Sequence, residues 1–269
     1  MATRNGALGR LEREGSSGPP FPTRSGRHQG VGETVKDKSL GKVSLVLSLF
    51  PGIGLLDMAF EREGFCIVRG PDLLWGGDIR QFHPPAGRFD GIIGGPPCQK
   101  FSTAARLRPN FERQNLIPEF ERCVSEAQPV WFLMENVRGA PIPGVAGYIV
   151  DAILVNNRAL GEEQNRIRRF SFGTRDGRKL IIDNTLVIFD NPIYEYCVTA
   201  SDHTGGNWEN SRRGKGRNWR KMARLQGLPD DFDIPPFTRA ALGKAIGNGV
   251  PLPMGRAVAQ AVAKELGRR

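Results

Sequence analysis

The sequence predicts an α/β fold, a mostly parallel sheet with helices on both faces and a small additional lobe. Three observations lead there. Short apolar runs rich in Val, Ile and Leu recur between stretches of helical periodicity, the alternation that builds a parallel sheet. Glycine and proline clusters stand at the ends of those runs, at 51–54 and 94–97. A last helical stripe, Met254, Val258, Ala261 and Val262, gives one more apolar face to bury.

In chain order, residues 1–41 are rich in Gly, Ser, Pro and Arg and lack apolar periodicity, and read as a disordered basic arm or an idle tail. A first strand is expected at 43–50, between Gly41 and Pro51. The turn Pro51-Gly52-Ile53-Gly54 leads into a helix whose stripe is Leu55, Leu56, Met58, Ala59 and Phe60, ended by Gly64. Further strands are expected at 66–68, 90–93, 130–134 and 169–172, with helices at 111–127 and 148–157. Beyond Thr174 the pattern loosens to short strands at 179–182 and 185–188 and a loop rich in Gly, Arg and Trp. Helices at 220–226 and 251–266 close the chain, giving segments 1–41, 42–173, 174–218 and 219–269.

Composition narrows the function. The chain has 269 residues, 39% hydrophobic and 25% charged, as in a soluble globular protein. No run approaches the ~18 apolar residues of a membrane helix, and no apolar signal segment opens the chain. The net charge of +10 favours a polyanionic partner, nucleic acid first. Cys66, Cys98, Cys123 and Cys197 are scattered without a C-x-x-C pair, so neither a disulfide framework nor a metal site is expected, and a reducing cytoplasm suits them.

The chemistry concentrates at the ends of expected strands, where sheets of this class bind ligands. Phe50 to Gly54 would bring bare backbone to a helix N-terminus, as a ligand cradle or as a helix-packing turn. A dinucleotide fingerprint would need a glycine where Asp57 stands. Gly94-Gly95-Pro96-Pro97-Cys98-Gln99 is more specific, because it holds one cysteine on a rigid loop, as a nucleophile requires. Glu135 closes the next strand and would share that crevice. Gln164, Arg166 and Arg168, with period two, would point to one side of a strand; a plain surface edge could look the same.

In this order the motifs resemble the cytosine-C5 DNA methyltransferase family. The segments that carry the resemblance are Leu49 to Gly54, Gly77-Asp78-Ile79-Arg80, Gly95 to Ser102, Glu135-Asn136-Val137, Gln164 to Arg168, Arg224 to Asp230 and Ile246 to Pro251. They span roughly residues 43–266 in the family's order. The resemblance implies a Rossmann-like methyltransferase sheet with a reduced target-recognition lobe at 174–218. It implies Cys98 as covalent nucleophile toward C6 of a flipped-out cytosine, Glu135 on N3 and the amine, Arg168 on O2, and Arg166 supporting the cysteine loop or a phosphate. S-adenosylmethionine would be held by Phe50, Gly52, Ile53, Gly54, Asp78 and Ile79, with Pro96, Leu116, Asn248 and Val250 completing the pocket. Double-stranded DNA would meet Gln99, Ser102, Gln164, Trp208, Arg212, Arg213, Lys215 and Arg217.

Three departures from the family pattern stand out. Ser48 occupies the place of an acid before Leu49; the segment from Phe65 to Asp78 is short, leaving Asp72 as candidate for the ribose hydroxyls and Trp75 for the adenine; and the recognition lobe is small, predicting a short or relaxed target. The resemblance leads us to expect a monomer, without metal or membrane partner, of the orphan phage or prophage kind. A tRNA cytosine-C5 methyltransferase and a catalytically dead DNA-binding homologue are the alternatives.

Overall fold

The structure is a computed structural model that describes residues 44–97, 115–182, 194–200, 218–235 and 237–268. A six-stranded sheet runs in the order β2-β1-β3-β4-β7-β5. Its strands are β1 (Leu45–Leu49), β2 (Cys66–Arg69), β3 (Gly91–Gly94), β4 (Trp131–Val137), β5 (Ile149–Asn156) and β7 (Ile167–Thr174). The β2-β1-β3-β4 half is parallel, and β7 runs antiparallel to both neighbours. β6 (Gln164–Asn165) and β8 (Glu195–Tyr196) form a separate parallel pair.

β4 shows how one strand serves two cores. Trp131 and Leu133 enter the layer formed with Phe60, Phe172, Met254, Val258 and Val262, while Phe132 and Met134 enter the layer with Leu47, Ile92, Phe120 and Val124. Successive side chains of a strand point to opposite faces, so an unbroken apolar run is what a doubly covered strand requires. The first layer is covered by α1 (Leu55–Arg62) and α5 (Leu252–Glu265), the second by α2 (Ile117–Ala127). The large rings need missing side chains beside them. A Cβ at Gly91 would come within 2.2 Å of the Trp131 ring, and one at Gly173 within 2.2 Å of the Phe132 ring.

A third cluster joins α3 (Trp219–Leu225) and α4 (Arg239–Asn248) to the start of α1, through Met222, Leu225, Leu242 and Ile246 packed with Ile53 and Leu55. The C-terminal segment therefore returns to the turn that follows β1.

Two expectations need correction. The segment expected to be helical at 148–157 is strand β5, paired with β7 over Ile149 to Asn156. It is an edge strand that sends Ile153 and Val155 to one core layer and Val150 to the other while Ile149 and Leu154 stay exposed, so its apolar run follows strand alternation rather than a helical stripe. The strand expected at 179–182 is irregular, its Leu180 N–H donating to Asp151 Oδ2 at 3.0 Å, and 185–188 lies outside the described residues. Helix α4 was not anticipated, because its small residues carry little apolar periodicity.

Candidate active site

The site is built on the carboxyl ends of β1, β3 and β4 and on β7 beside them. The turn after β1 departs from ordinary backbone at Phe50, Gly52 and Gly54, whose φ values are 57°, 57° and 81°. Phe50 is a non-glycine residue in the left-handed region, a strain that the surrounding bonds must hold. Asp72 Oδ2 accepts the Gly52 N–H at 2.8 Å, Asp72 Oδ1 accepts the Leu74 N–H at 2.7 Å, and the Trp75 indole N–H donates to the Gly52 carbonyl at 2.6 Å. Asp72 and Trp75 are thus brought onto the glycine turn. Asp78 begins a single helical turn, accepts the Arg80 N–H at 3.0 Å and meets the Arg80 guanidinium at 2.8 Å; that side-chain bond holds its carboxyl below the usual range. Ile79, next to it, is buried.

From the other end of the chain, Gly249 lies so near α1 that a Cβ there would meet Leu55 Cδ1 at 2.5 Å. Asn248 and Val250, on either side of it, are brought beside the first turn of α1. Leu116 joins the loop after β3 by donating its N–H to the Pro97 carbonyl at 3.1 Å.

At the end of β4, Glu135 Oε1 accepts from Arg168 Nε at 3.0 Å across the β4–β7 pairing. Both side chains are nearly enclosed, at 11% and 16% exposure. Burial pushes the Glu135 carboxyl up, and Arg168 opposes that shift. Glu135 also faces the β3 loop, where a Cβ on Gly95 would stand 3.1 Å from Glu135 Oε2. Asn136 Nδ2 donates to the Pro96 carbonyl at 3.1 Å, tying the two strand-end loops together. Cys98, Gln99 and Ser102 lie outside the described residues, as do Trp208, Arg212, Arg213, Lys215 and Arg217.

Arg166 and Gln164 require correction. Arg166 is 1% exposed, and its guanidinium ends on carbonyls: Val198 at 2.6 Å, Gly249 at 2.8 Å and Gly247 at 3.3 Å, with Cys197 Sγ at 3.3 Å. A cation so enclosed cannot reach a phosphate. Burial lowers its pKa to about 10. Gln164, also 1% exposed, accepts the Val198 N–H and donates to the Leu225 carbonyl and Gln226 Oε1, so it is not a DNA contact. The strand pattern breaks at Arg166, between β6 and β7, and these side chains turn inward where period two alone suggested a shared open face.

Sequence reasoning missed the roles of three residues. Asn136 stood beside Glu135 without a role. Gln226 donates to the Ile246 and Gly249 carbonyls at 2.7 and 3.0 Å, within the segment Arg224 to Asp230. Asp57, fully buried in α1, accepts from Ser48 Oγ at 2.5 Å and from Arg69 Nε at 2.9 Å. The serine in an acid's place was the signal for this last group of residues.

The C-5 cytosine-specific DNA methylase family matches residues 75–141 and 195–264, half of the chain. The chain belongs to this family. It is 36% identical over 160 residues to the type II methyltransferase M.FnuDI of Fusobacterium nucleatum, covering 48% of this chain and 46% of that protein. It is 30% identical over 172 residues to the orphan methyltransferase M.SPRI of Bacillus phage SPR, covering 51% and 39%. The chain thus spans about half or less of the length of these curated relatives. The methyltransferase EhMeth of Entamoeba histolytica shares the fold, with a TM-score of 0.59, 13% identity, and coverage of 84% of this chain and 99% of that one. The mixed six-stranded sheet is therefore the Rossmann-like methyltransferase sheet. Among the described residues, no group of three or more His, Cys, Asp or Glu could hold a metal ion, and no helix is long and apolar enough to cross a membrane.

Proposed function

We propose that the protein is a DNA (cytosine-5)-methyltransferase that moves a methyl group from S-adenosylmethionine to C5 of a flipped-out cytosine in double-stranded DNA. The observation that carries this reading is the enclosed Glu135–Arg168 pair set against Gly95, three residues before Cys98.

The residues of the turn fit an adenosyl donor. A Cβ at Gly52 would meet nothing within 4 Å, so the space above the turn is open, and Phe50 and the Trp75 indole supply aromatic surface beside it. Phe50, Gly52, Ile53, Gly54, Pro96, Leu116, Asn248 and Val250 would surround the donor, with Asp78 and Ile79 at the adenine. Each Asp72 oxygen accepts one backbone N–H and retains a lone pair for a ribose hydroxyl. Bound there, S-adenosylmethionine would supply an electrophilic methyl group.

The protein's own groups do the rest. Cys98, as thiolate, adds to C6 of cytosine, and the C5–C6 electron pair becomes an enamine nucleophilic at C5. Glu135 holds N3 and the exocyclic amine, and its upward-shifted carboxyl can share a proton with N3 as charge develops. Arg168 faces O2 and keeps Glu135 oriented through Nε. After alkylation solvent water takes the C5 proton, the C5–H electron pair restores the C5–C6 double bond, and the C6–S pair returns to Cys98 as the thiolate. Glu135 and Arg168 can embrace only a base taken out of the stack.

The region 174–218, with Trp208 and its arginines, would choose the target, the arm 1–41 would touch phosphate, and 42–173 with 219–269 would form the catalytic body. We place the protein as a monomer at DNA in a bacterial or phage-infected cytoplasm; the phage relative named above suits an orphan enzyme.

Duplex DNA containing 5-fluorocytosine, incubated with donor and protein, should yield a denaturation-resistant adduct, since fluorine cannot leave C5 as the proton does. Cys98→Ser should form none. An adduct with tRNA alone would redirect the substrate to RNA, and none with either nucleic acid would leave a binding protein without catalysis.

A further inference from the structure

The acid that is absent at position 48 reappears just past the turn that follows β1. Asp57, on the first turn of α1, is fully buried, and Ser48 Oγ donates to its Oδ1 at 2.5 Å. Its other oxygen takes Arg69 Nε at 2.9 Å. Ser48 and Arg69 are register partners on the parallel strands β1 and β2, so their side chains leave the sheet on the same face. Ser48, Asp57 and Arg69, from β1, α1 and β2, thus form one chain of bonds beside the glycine turn.

The outer end of this chain is a cation. Arg69 is 55% exposed while Asp57 is 1% exposed, and the ion pair uses Nε alone. Among the described residues, its terminal nitrogens donate to no side chain or carbonyl. The guanidinium lies over Gly54: a Cβ there would meet Arg69 Nη2 at 2.8 Å and Cζ at 3.1 Å. Two terminal N–H groups of a fixed guanidinium therefore sit at the turn that would receive the donor's amino-acid end, beside the N-terminus of α1. Both features favour an anion, and the planar fork matches a carboxylate.

We propose that Arg69 binds the carboxylate of the methyl donor's amino-acid end, with Asp57 and Ser48 as the residues that position it. This rests on the adenosyl-donor reading above. Ser48 in place of an acid is part of the device: a second carboxylate at that point would repel Asp57 and compete for Arg69.

The test uses the full chain and two nucleoside thioethers that differ by the amino-acid end. S-adenosylhomocysteine carries the carboxylate; 5′-methylthioadenosine lacks the whole end. By titration calorimetry, Arg69→Met should weaken S-adenosylhomocysteine about 10-fold, the scale of one exposed charge-assisted contact, and leave 5′-methylthioadenosine within about 2-fold. Arg69→Gln serves as a second variant, and Asp57→Asn, which frees the guanidinium, should show the same selective loss to a smaller degree. Equal losses for both ligands would mean that Arg69 only shapes the turn, and no loss for either would mean that it does not meet the ligand; each result overturns the proposal. Wild-type protein that binds neither compound would overturn the donor reading itself, and this inference with it.

Discussion

Arg166 offers the sharpest test of how the two ends of the chain are held together. In Arg166→Met the apolar body of the side chain is kept and the guanidinium removed. The Gly249 carbonyl keeps its bond from Gln226 Nε2 at 3.0 Å, so it is not orphaned. The Gly247 carbonyl loses its donor at 3.3 Å, and the Val198 carbonyl loses its donor at 2.6 Å and keeps only the weak Cys197 thiol at 3.4 Å. Each buried acceptor left unsatisfied costs about 1–3 kcal/mol, partly offset because no guanidinium has to be desolvated. The net loss should be about 3 kcal/mol, a large share of the ~5–15 kcal/mol that holds a domain folded. Urea unfolding followed by far-UV circular dichroism at neutral pH reads it as a lower midpoint with an unchanged slope. Arg166→Lys should lose at least as much, since one ammonium cannot span carbonyls on β8's flank and on the α4–α5 turn as a planar fork does. A loss below about 1 kcal/mol in the methionine variant, or a lysine variant as stable as wild type, would refute the account.

Other consequences are equally direct. Gly249→Ala should destabilise by about 1–3 kcal/mol in the same urea assay, because its Cβ would press on buried Leu55 at 2.5 Å and 3.0 Å. Glu135→Gln should be more stable than wild type at pH 8. Burial raises the folded carboxyl above its unfolded value of 4.5, so the acid's favourable contribution is present below that value and is lost as pH rises through the folded one. The gap in melting temperature should therefore close toward pH 4, and a constant gap would contradict the burial argument. Asn136→Ala releases the Pro96 carbonyl, and should slow adduct formation with 5-fluorocytosine DNA about 10-fold, or ~1.4 kcal/mol of barrier, while S-adenosylhomocysteine affinity measured by calorimetry stays the same.

Much of this molecule can be read residue by residue. Strands β1, β3 and β4 declare themselves as short apolar runs stopped by Gly, Pro or Glu-Asn, and α1 and α5 as apolar stripes, because burial on one or two faces leaves a local pattern. The glycine turn and the proline loop before Cys98 were legible because each sits where a strand ends, and Glu135 because it is the first polar residue after an apolar run, although β4 continues through Val137. Tertiary structure decided what local pattern leaves open. Residues 148–157 read as a helix, and eight register pairs with β7 made 149–156 an edge strand. Gln164 and Arg166 looked outward by period two, yet their partners lie 31 to 83 residues away and draw them inside. Asp57 read as a helix residue until Ser48 and Arg69 were placed beside it. The sequence by itself determined β1, β3, β4, α1 and α5 and the residue types that stand near their ends, since those depend on neighbours along the chain. Only the folded structure decided which polar side chains hold the frame, because a buried charge goes wherever distant carbonyls or carboxylates can satisfy it.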